Sequence, residues 1–306
     1  MTRSPPLPSP VADHAVDGVV VETRRRRFTV ALDDIHGNRV IVPIKGRTLT
    51  PVCGDRVALA IDAQKEAAIL SIHPRHNLFY RSDAVRQKLI AANVTQIIIV
   101  VAPDIAVDEM LLNRWIIAAL ATSCRCVIAV NKMDLPGFDA LVERMCPYQN
   151  LGATIVKLAA LHNADALLPF ARDEQSVLIG QSGMGKSTII NALIPDAHAP
   201  TQEVSEVLDG GRHTTSAATL YPLEKSGSGS IIDIPGMKMF GLAHLSSEAL
   251  TRAFVDIAPF AGACRFRDCR HLNEPDCAVQ AAMNEGKIHP KRLQLFHEIL
   301  KEFGKK

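Results

Sequence analysis

Over the first quarter of the chain, the hydrophobic positions fall in short runs of strand length broken by turn residues. Runs at residues 18–22, 28–32, 39–43, 56–61 and 67–72 are separated by Asp33-Asp34, Gly37-Asn38, Pro51 and Gly54-Asp55, residue types that supply tight turns. Five short strands at this spacing predict a small barrel of the oligonucleotide/oligosaccharide-binding (OB) type, with an SH3-like barrel as the alternative. Arg24, Arg25, Arg26, Arg27, Lys45 and Arg47 give it positive charge, which suits a nucleic-acid face; a scaffolding role is the other reading.

A basic connector, residues 75–88, follows, and then the period changes. Residues 97–102 form an unbroken apolar run, 108–121 repeat with helical spacing, and 126–130 are apolar again. Buried strand, helix and buried strand in succession imply a parallel sheet. A helix at 138–144 and strands at 153–158, 176–179 and 230–234 extend it, and from residue 246 the pattern is mostly helical. The expected organisation is a disordered leader at 1–10, an OB barrel at 11–75, an α/β domain at 76–245 and a helical unit at 246–306.

A hydrophobic share of 47% with 22% charged residues is ordinary for a globular protein, and the longest apolar runs, 97–102 and 115–121, are far too short to cross a bilayer. Residues 1–10 hold four prolines and one arginine without an apolar stretch of signal-peptide length, so a cytoplasmic protein with no membrane partner is expected. The net charge of +2 hides an uneven distribution: 14 Lys+Arg against 9 Asp+Glu in residues 1–90, 11 against 17 in 91–263, and 9 against 6 in 264–306. Basic flanks around an acidic middle fit contact with a polyanion, or simply solvated faces.

The string Gly180-Gln181-Ser182-Gly183-Met184-Gly185-Lys186-Ser187 satisfies Gly-x4-Gly-Lys-Ser, follows an apolar run and precedes a helical stretch starting at Thr188. Glycines let the backbone wrap closely around phosphates with its amides pointing inward; Lys186 would reach the outer phosphates and the Ser187 hydroxyl would ligate Mg²⁺. Asn131-Lys132-Met133-Asp134 stands at the end of the strand 126–130. A carboxylate such as that of Asp134 accepts from both the ring N–H and the exocyclic amino group of guanine, whereas adenine lacks that amino group and leaves the carboxylate unpaired. In ordinary small GTPases the guanine loop follows the phosphate loop; here it precedes it by about fifty residues. Circular permutation accounts for the reversal, because opening a sheet at a different connection leaves every strand edge in place.

Asp233-Ile234-Pro235-Gly236 matches the Asp-x-x-Gly element, in which the carboxylate holds Mg²⁺ through water and the Gly236 amide senses the γ-phosphate. Between it and the phosphate loop lies an aperiodic stretch containing Gly210-Gly211-Arg212-His213-Thr214-Thr215, read as a switch in which Thr214 or Thr215 completes the Mg²⁺ shell. Met237 occupies the place of a water-orienting glutamine, and a thioether cannot do that work, so His213 is the candidate catalytic group.

Seven cysteines without an export signal argue for reduced thiols. Cys53, Cys124, Cys126 and Cys146 read as buried small hydrophobes. Cys264, Cys269, His271 and Cys277 fall within fourteen residues and offer the three thiolates and one imidazole that tetrahedral Zn²⁺ prefers, with free core thiols as the alternative. Arg265, Arg267 and Arg270 interleave with them and hint at RNA phosphate contact.

These motifs together resemble the bacterial small ribosomal subunit-dependent GTPase A family, RsgA, over nearly the whole chain: the permuted order of residues 131–134, 180–187 and 233–236, the string 211–215, and Cys264-Arg-Phe-Arg-Asp-Cys269-Arg-His271 followed by Asn273-Glu274-Pro275-Asp276-Cys277. The resemblance implies an OB domain, a permuted GTPase domain and a zinc domain. It also implies a cytoplasmic factor, monomeric off the ribosome, that uses GTP, Mg²⁺ and one Zn²⁺. Such a factor binds the small ribosomal subunit and its rRNA late in assembly, is stimulated by it, and leaves after hydrolysis. The family's Ser-Ala base-contact element falls at Ala159-Ala160, where one hydroxyl is missing, and Thr214-Thr215-Ser216 replaces three threonines. A nucleotide-gated RNA-binding module with incidental hydrolysis is the second reading; an ATP-using kinase is disfavoured by Asn131 and Asp134.

Overall fold

The computed structural model describes residues 15–24, 27–33, 38–44, 49–62, 64, 66–82, 87–199, 218–223, 228–234, 242 and 246–303. The alternating segments form β1 (Ala15–Arg24), β2 (Arg27–Leu32), β3 (Arg39–Pro43), β4 (Arg56–Ile61) and β5 (Ala67–Ile72). β1 pairs antiparallel with both β2 and β4, β2 continues to β3, β4 continues to β5, and β3 lies against β5, as an OB-type barrel requires. Val20, Phe28, Val30, Val42, Val57 and Leu59 fill its interior. The turn into β4 is fixed by Asp55, a fully buried carboxylate that accepts from Val52 N at 2.7 Å and is held by both Nε and Nη2 of Arg75 at 2.7 Å.

The basic stretch expected to be a connector is instead a hairpin of β6 (Leu78–Ser82) and β7 (Gln87–Ala92). Its alternation is short and broken by a register shift between Phe79 and Tyr80, so the charged residues dominate the sequence pattern, while Phe79 and Ile90 are buried beneath the hairpin.

The central sheet runs β10 (Ala153–Lys157), β9 (Arg125–Val130), β8 (Gln96–Val101), β11 (Gln175–Gly180), β13 (Ser230–Asp233) and β12 (Thr219–Pro222), all parallel except β12. β8 is buried along its whole length because both faces are covered, which explains its unbroken apolar run. β12 also meets β1 at Glu22↔Thr219, so the barrel and the α/β unit share one continuous sheet. Helix α1 (Glu109–Ala121) starts at Asp108, whose side chain accepts from Leu111 N at 3.0 Å. It is buried on nearly every face, being packed between the sheet and the C-terminal helices.

The C-terminal unit contains helices Ser247–Ala253, Ala258–Ala261, Ala278–Asn284 and Pro290–Phe303. Phe254 and Phe296 meet edge to face with centroids 5.0 Å apart in its core. Arg292 fastens this unit to α1. Its Nε and Nη2 each lie 2.8 Å from the Asp256 carboxylate, its Nη1 donates to Asn113 Oδ1 at 2.7 Å, and its guanidinium sits 4.8 Å over the Phe254 ring. Cys53, Cys124 and Cys126 are buried as expected, but Cys146 is exposed, because it opens a 3-10 turn with no buried residue at the end of helix α2 (Phe138–Met145).

Arg292→Ala should remove about 2–3 kcal/mol of stability, the lower end for a broken buried pair, since the two side chains are 13% and 20% exposed. Urea unfolding followed by the fluorescence of Trp115, the single tryptophan, measures it. A wild-type midpoint would show that the clamp carries no weight.

Candidate nucleotide site and metal centre

From β8 the chain moves outward through α1 to β9 and β10, then returns to β11 on the other side of β8. The order reverses between β8 and β11, and at such a point an open α/β sheet leaves a crevice at the carboxyl ends of its strands. The described residues of the phosphate loop and of the Asn131 loop gather at this edge.

The phosphate loop leaves β11 at Gly180 and enters helix α4 (Lys186–Leu193), the helix that follows the short α3 (Leu168–Ala171). Gly183 and Gly185 take left-handed backbone angles, φ 82° and 95°. Met184 between them is buried and anchors the loop in the core. Ser187 and Thr188 lie in the first turn of α4, half-buried, and Ser182 is exposed at the loop tip. The Lys186 ammonium folds back over the loop, donating to Gly180 O at 2.8 Å and Gln181 O at 3.0 Å. Burial lowers its pKa, opposed by Asp233; burial raises the pKa of Asp233, opposed by Lys186. Two opposite charges thus face each other in a poorly hydrated place, and a phosphate with a divalent cation would serve both.

The loop after β9 reaches the same place. Asn131 is buried; its Nδ2 donates to Met184 O at 3.0 Å and its Oδ1 accepts from Ala160 N at 3.0 Å. One side chain therefore joins the loops that follow β9, β11 and β10. Lys132, with a left-handed backbone at φ 63°, donates from Nζ to Gly183 O at 2.8 Å. Met133 N donates to Leu158 O at 3.1 Å, and Met133 and Asp134 are exposed beyond it. Ala159 is half-buried and closes a turn, its carbonyl accepting from His162 N at 2.8 Å and Asn163 N at 2.9 Å.

Sequence reasoning missed the loop between β8 and α1. Gln181, expected at the nucleotide, turns its side chain there instead, donating to Ala106 O at 3.1 Å and accepting from Asp108 N at 3.0 Å. Asp104 on this loop lies 2.5 Å from Lys132 Nζ. Its position just beyond the carboxyl end of a buried strand was the available signal. His213, Thr214, Thr215 and Gly236 lie outside the described residues, as does Met237.

In the C-terminal unit Cys264, Cys269, His271 and Cys277 bring their ligand atoms within 4.8 Å of one another. Cys264 and Cys277 sulfurs are 3.9 Å apart, and His271 Nδ1 is 3.4 Å and 3.6 Å from them. A tetrahedral ion bound at about 2.3 Å to sulfur and about 2.0 Å to nitrogen needs S···S and S···N separations of about 3.8 Å and 3.5 Å, so the donor set fits zinc. Burial lowers the pKa of His271, which keeps the imidazole neutral and able to ligate. Its left-handed backbone, φ 62°, is fastened by Gln280 Nε2 at 2.7 Å and His297 Nε2 at 2.9 Å on the carbonyl. Of the interleaved arginines, Arg265 is paired with Asp276 at 2.8 Å, an exposed bridge.

Phosphate and guanine-type loops converging on one sheet edge, in reversed chain order, define a circularly permuted P-loop GTPase. A family model described as RsgA GTPase matches residues 72–243. The chain is 42% identical over 299 residues to the small ribosomal subunit biogenesis GTPase RsgA of Nitrosospira multiformis, covering 97% of this chain and 94% of that protein. It is 40% identical over 296 residues to the protein of the same description from Bordetella pertussis, covering 95% and 98%. YjeQ from Thermotoga maritima, known from its crystal structure, superposes with a TM-score of 0.70 at 25% identity, over 96% of this chain and 100% of that one. YloQ, described as a circularly permuted GTPase, gives a TM-score of 0.66 at 25% identity over 97% and 98%. The chain belongs to the RsgA GTPase family and is a GTP-hydrolysing enzyme.

A Cβ on Gly185 would sit 2.3 Å from Asn131 Nδ2 on a left-handed backbone, so Gly185→Ala must displace the Asn131 amide from its place between the two loops. We expect guanine-nucleotide affinity to fall by about 100-fold or more in calorimetric titration, accompanied by a lower melting temperature from backbone strain and the disturbed Asn131 contact. Retained affinity would show that the loops need not touch.

Proposed function

We propose that this GTPase acts in biogenesis of the small ribosomal subunit, binds its rRNA, and hydrolyses GTP to GDP and phosphate at a rate the subunit raises. The contact of Asn131 with Met184 supports the reading, since it holds the expected base-reading loop against the phosphate loop. The names of the relatives supply the setting, and the basic residues at both ends of the chain suit rRNA. A cytoplasmic monomer off the ribosome fits this reading, and no described helix is long and apolar enough to cross a membrane.

In this scheme Asp134 accepts from the ring N–H and amino group of guanine, and Ala160, with Ala159 beside it, borders the base. The amides from Gly180 to Thr188 and the Lys186 ammonium surround the phosphates, and the Gly236 amide senses the γ-phosphate. Ser187 and Asp233, with Thr214 or Thr215, would hold Mg²⁺, which would supply positive charge to offset the negative charge developing on the phosphates. His213 orients the water that attacks the γ-phosphorus as the bond to the β-phosphate oxygen breaks. Cys264, Cys269, His271 and Cys277 hold Zn²⁺ in a closed four-ligand site, which leaves no open position for catalysis and assigns the ion a structural part.

The deciding measurement is GTP turnover with and without purified small subunits. We expect about 10⁻⁴ to 10⁻³ s⁻¹ for the chain alone, the range of an unassisted switch GTPase, a clear rise with subunits, and loss of that rise in His213→Ala. Equal rates in both conditions would favour an RNA-binding module with incidental hydrolysis, and wild-type turnover in His213→Ala would remove the role of that histidine.

Metal analysis should find one zinc per chain, lost in Cys264→Ala/Cys277→Ala, with faster hydrogen exchange across residues 264–284. A metal-free chain with native protection there would exclude a structural ion.

A further inference from the structure

The loop from Ala102 to Asp108 belongs to none of the recognised nucleotide motifs, yet it is fixed to two of them. Gln181 of the phosphate loop bonds both Ala106 O and Asp108 N. Since Asp108 also caps α1, the far end of the loop is anchored to a long buried helix. At the near end Asp104 Oδ2 lies 2.5 Å from Lys132 Nζ, and the same ammonium donates to Gly183 O at 2.8 Å.

Lys132 has two features that call for such a partner. Its backbone is left-handed, φ 63°, a conformation that glycine adopts without cost, so the side chain is retained there against local preference. Its four-carbon stem has large rotamer freedom, which must be lost before it can offer a fixed surface to a ligand. Two bonds to the ammonium, one from each flanking loop, remove that freedom in advance and leave one N–H for a ligand. The Lys132 and Asp104 side chains are 22% and 40% exposed, so the pair is screened and its effect modest.

We propose that Asp104 is a positioning residue for guanosine binding: it holds Lys132 in the extended pose in which the stem lies along the base. This rests on the guanine-reading role given above to residues 131–134. Because Lys132 would touch the nucleoside and not the γ-phosphate, the contribution of Asp104 is equal for GDP and GTP and is already complete before the transition state.

The test is fluorescence titration of the full chain with labelled GDP and with a labelled non-hydrolysable GTP analogue, together with steady-state turnover. Asp104→Ala should raise both dissociation constants and KM by the same factor, about three- to tenfold, while kcat changes less than about twofold. Asp104→Glu should recover most of the loss, and Asp104→Ala added to Lys132→Ala should cost less than about a further twofold. The inference is overturned if Lys132→Ala weakens binding but Asp104→Ala does not. Additive losses in the double variant overturn it as well, as does a loss confined to GTP, or one that follows a fall in melting temperature. If Lys132→Ala itself binds like wild type, the guanine-loop reading fails first and takes this inference with it.

Discussion

The structure of this GTPase depends on a buried amide. Asn131 offers one donor and one acceptor, and it uses them on two different loops, the carbonyl of Met184 and the amide of Ala160. Neither backbone group has water as an alternative at that depth, so each would be left unpaired without Asn131, at about 1–3 kcal/mol apiece. The bond to Met184 requires close approach, and close approach requires the missing Cβ of Gly185. Loop convergence is therefore built from one polar side chain and one absent side chain.

Permutation alters what this edge can be attached to. With β11 and β13 late in the chain, the C-terminal helices follow directly on the strand that ends at Asp233. Those helices are then fastened at a second point, where Arg292 bonds Asn113 on α1. α1 in turn begins at Asp108, whose amide is held by Gln181 of the phosphate loop. The C-terminal unit is thus joined to the phosphate loop through α1.

Much of this was legible in the residues. The barrel strands follow from short apolar runs bounded by turn residues, β8 and β9 from unbroken apolar runs, and the phosphate loop from glycines at fixed offsets before a helix. The clustering of Cys264, Cys269, His271 and Cys277 as candidate metal ligands follows from residue type, since few other uses place three thiols and an imidazole within fourteen residues. What failed to show was of a different kind. The hairpin β6–β7 was hidden by its charges, Cys146 by its apolar neighbours, and Asp104 by belonging to no motif.

Local chemistry is written along the chain: periodicity, turn residues, motif spacing and donor types each depend on near neighbours, and the sequence determined them unaided. That the Asn131 loop and the phosphate loop meet was expected from their motifs; tertiary structure alone decided which atoms join the elements. Gln181 bonds across 73 residues to Asp108, Asn131 across 53 to Met184, and Arg292 across 179 to Asn113. Partnerships of that span depend on strand order and on where each carbonyl and amide comes to rest in three dimensions, and no pattern of neighbouring residues encodes either.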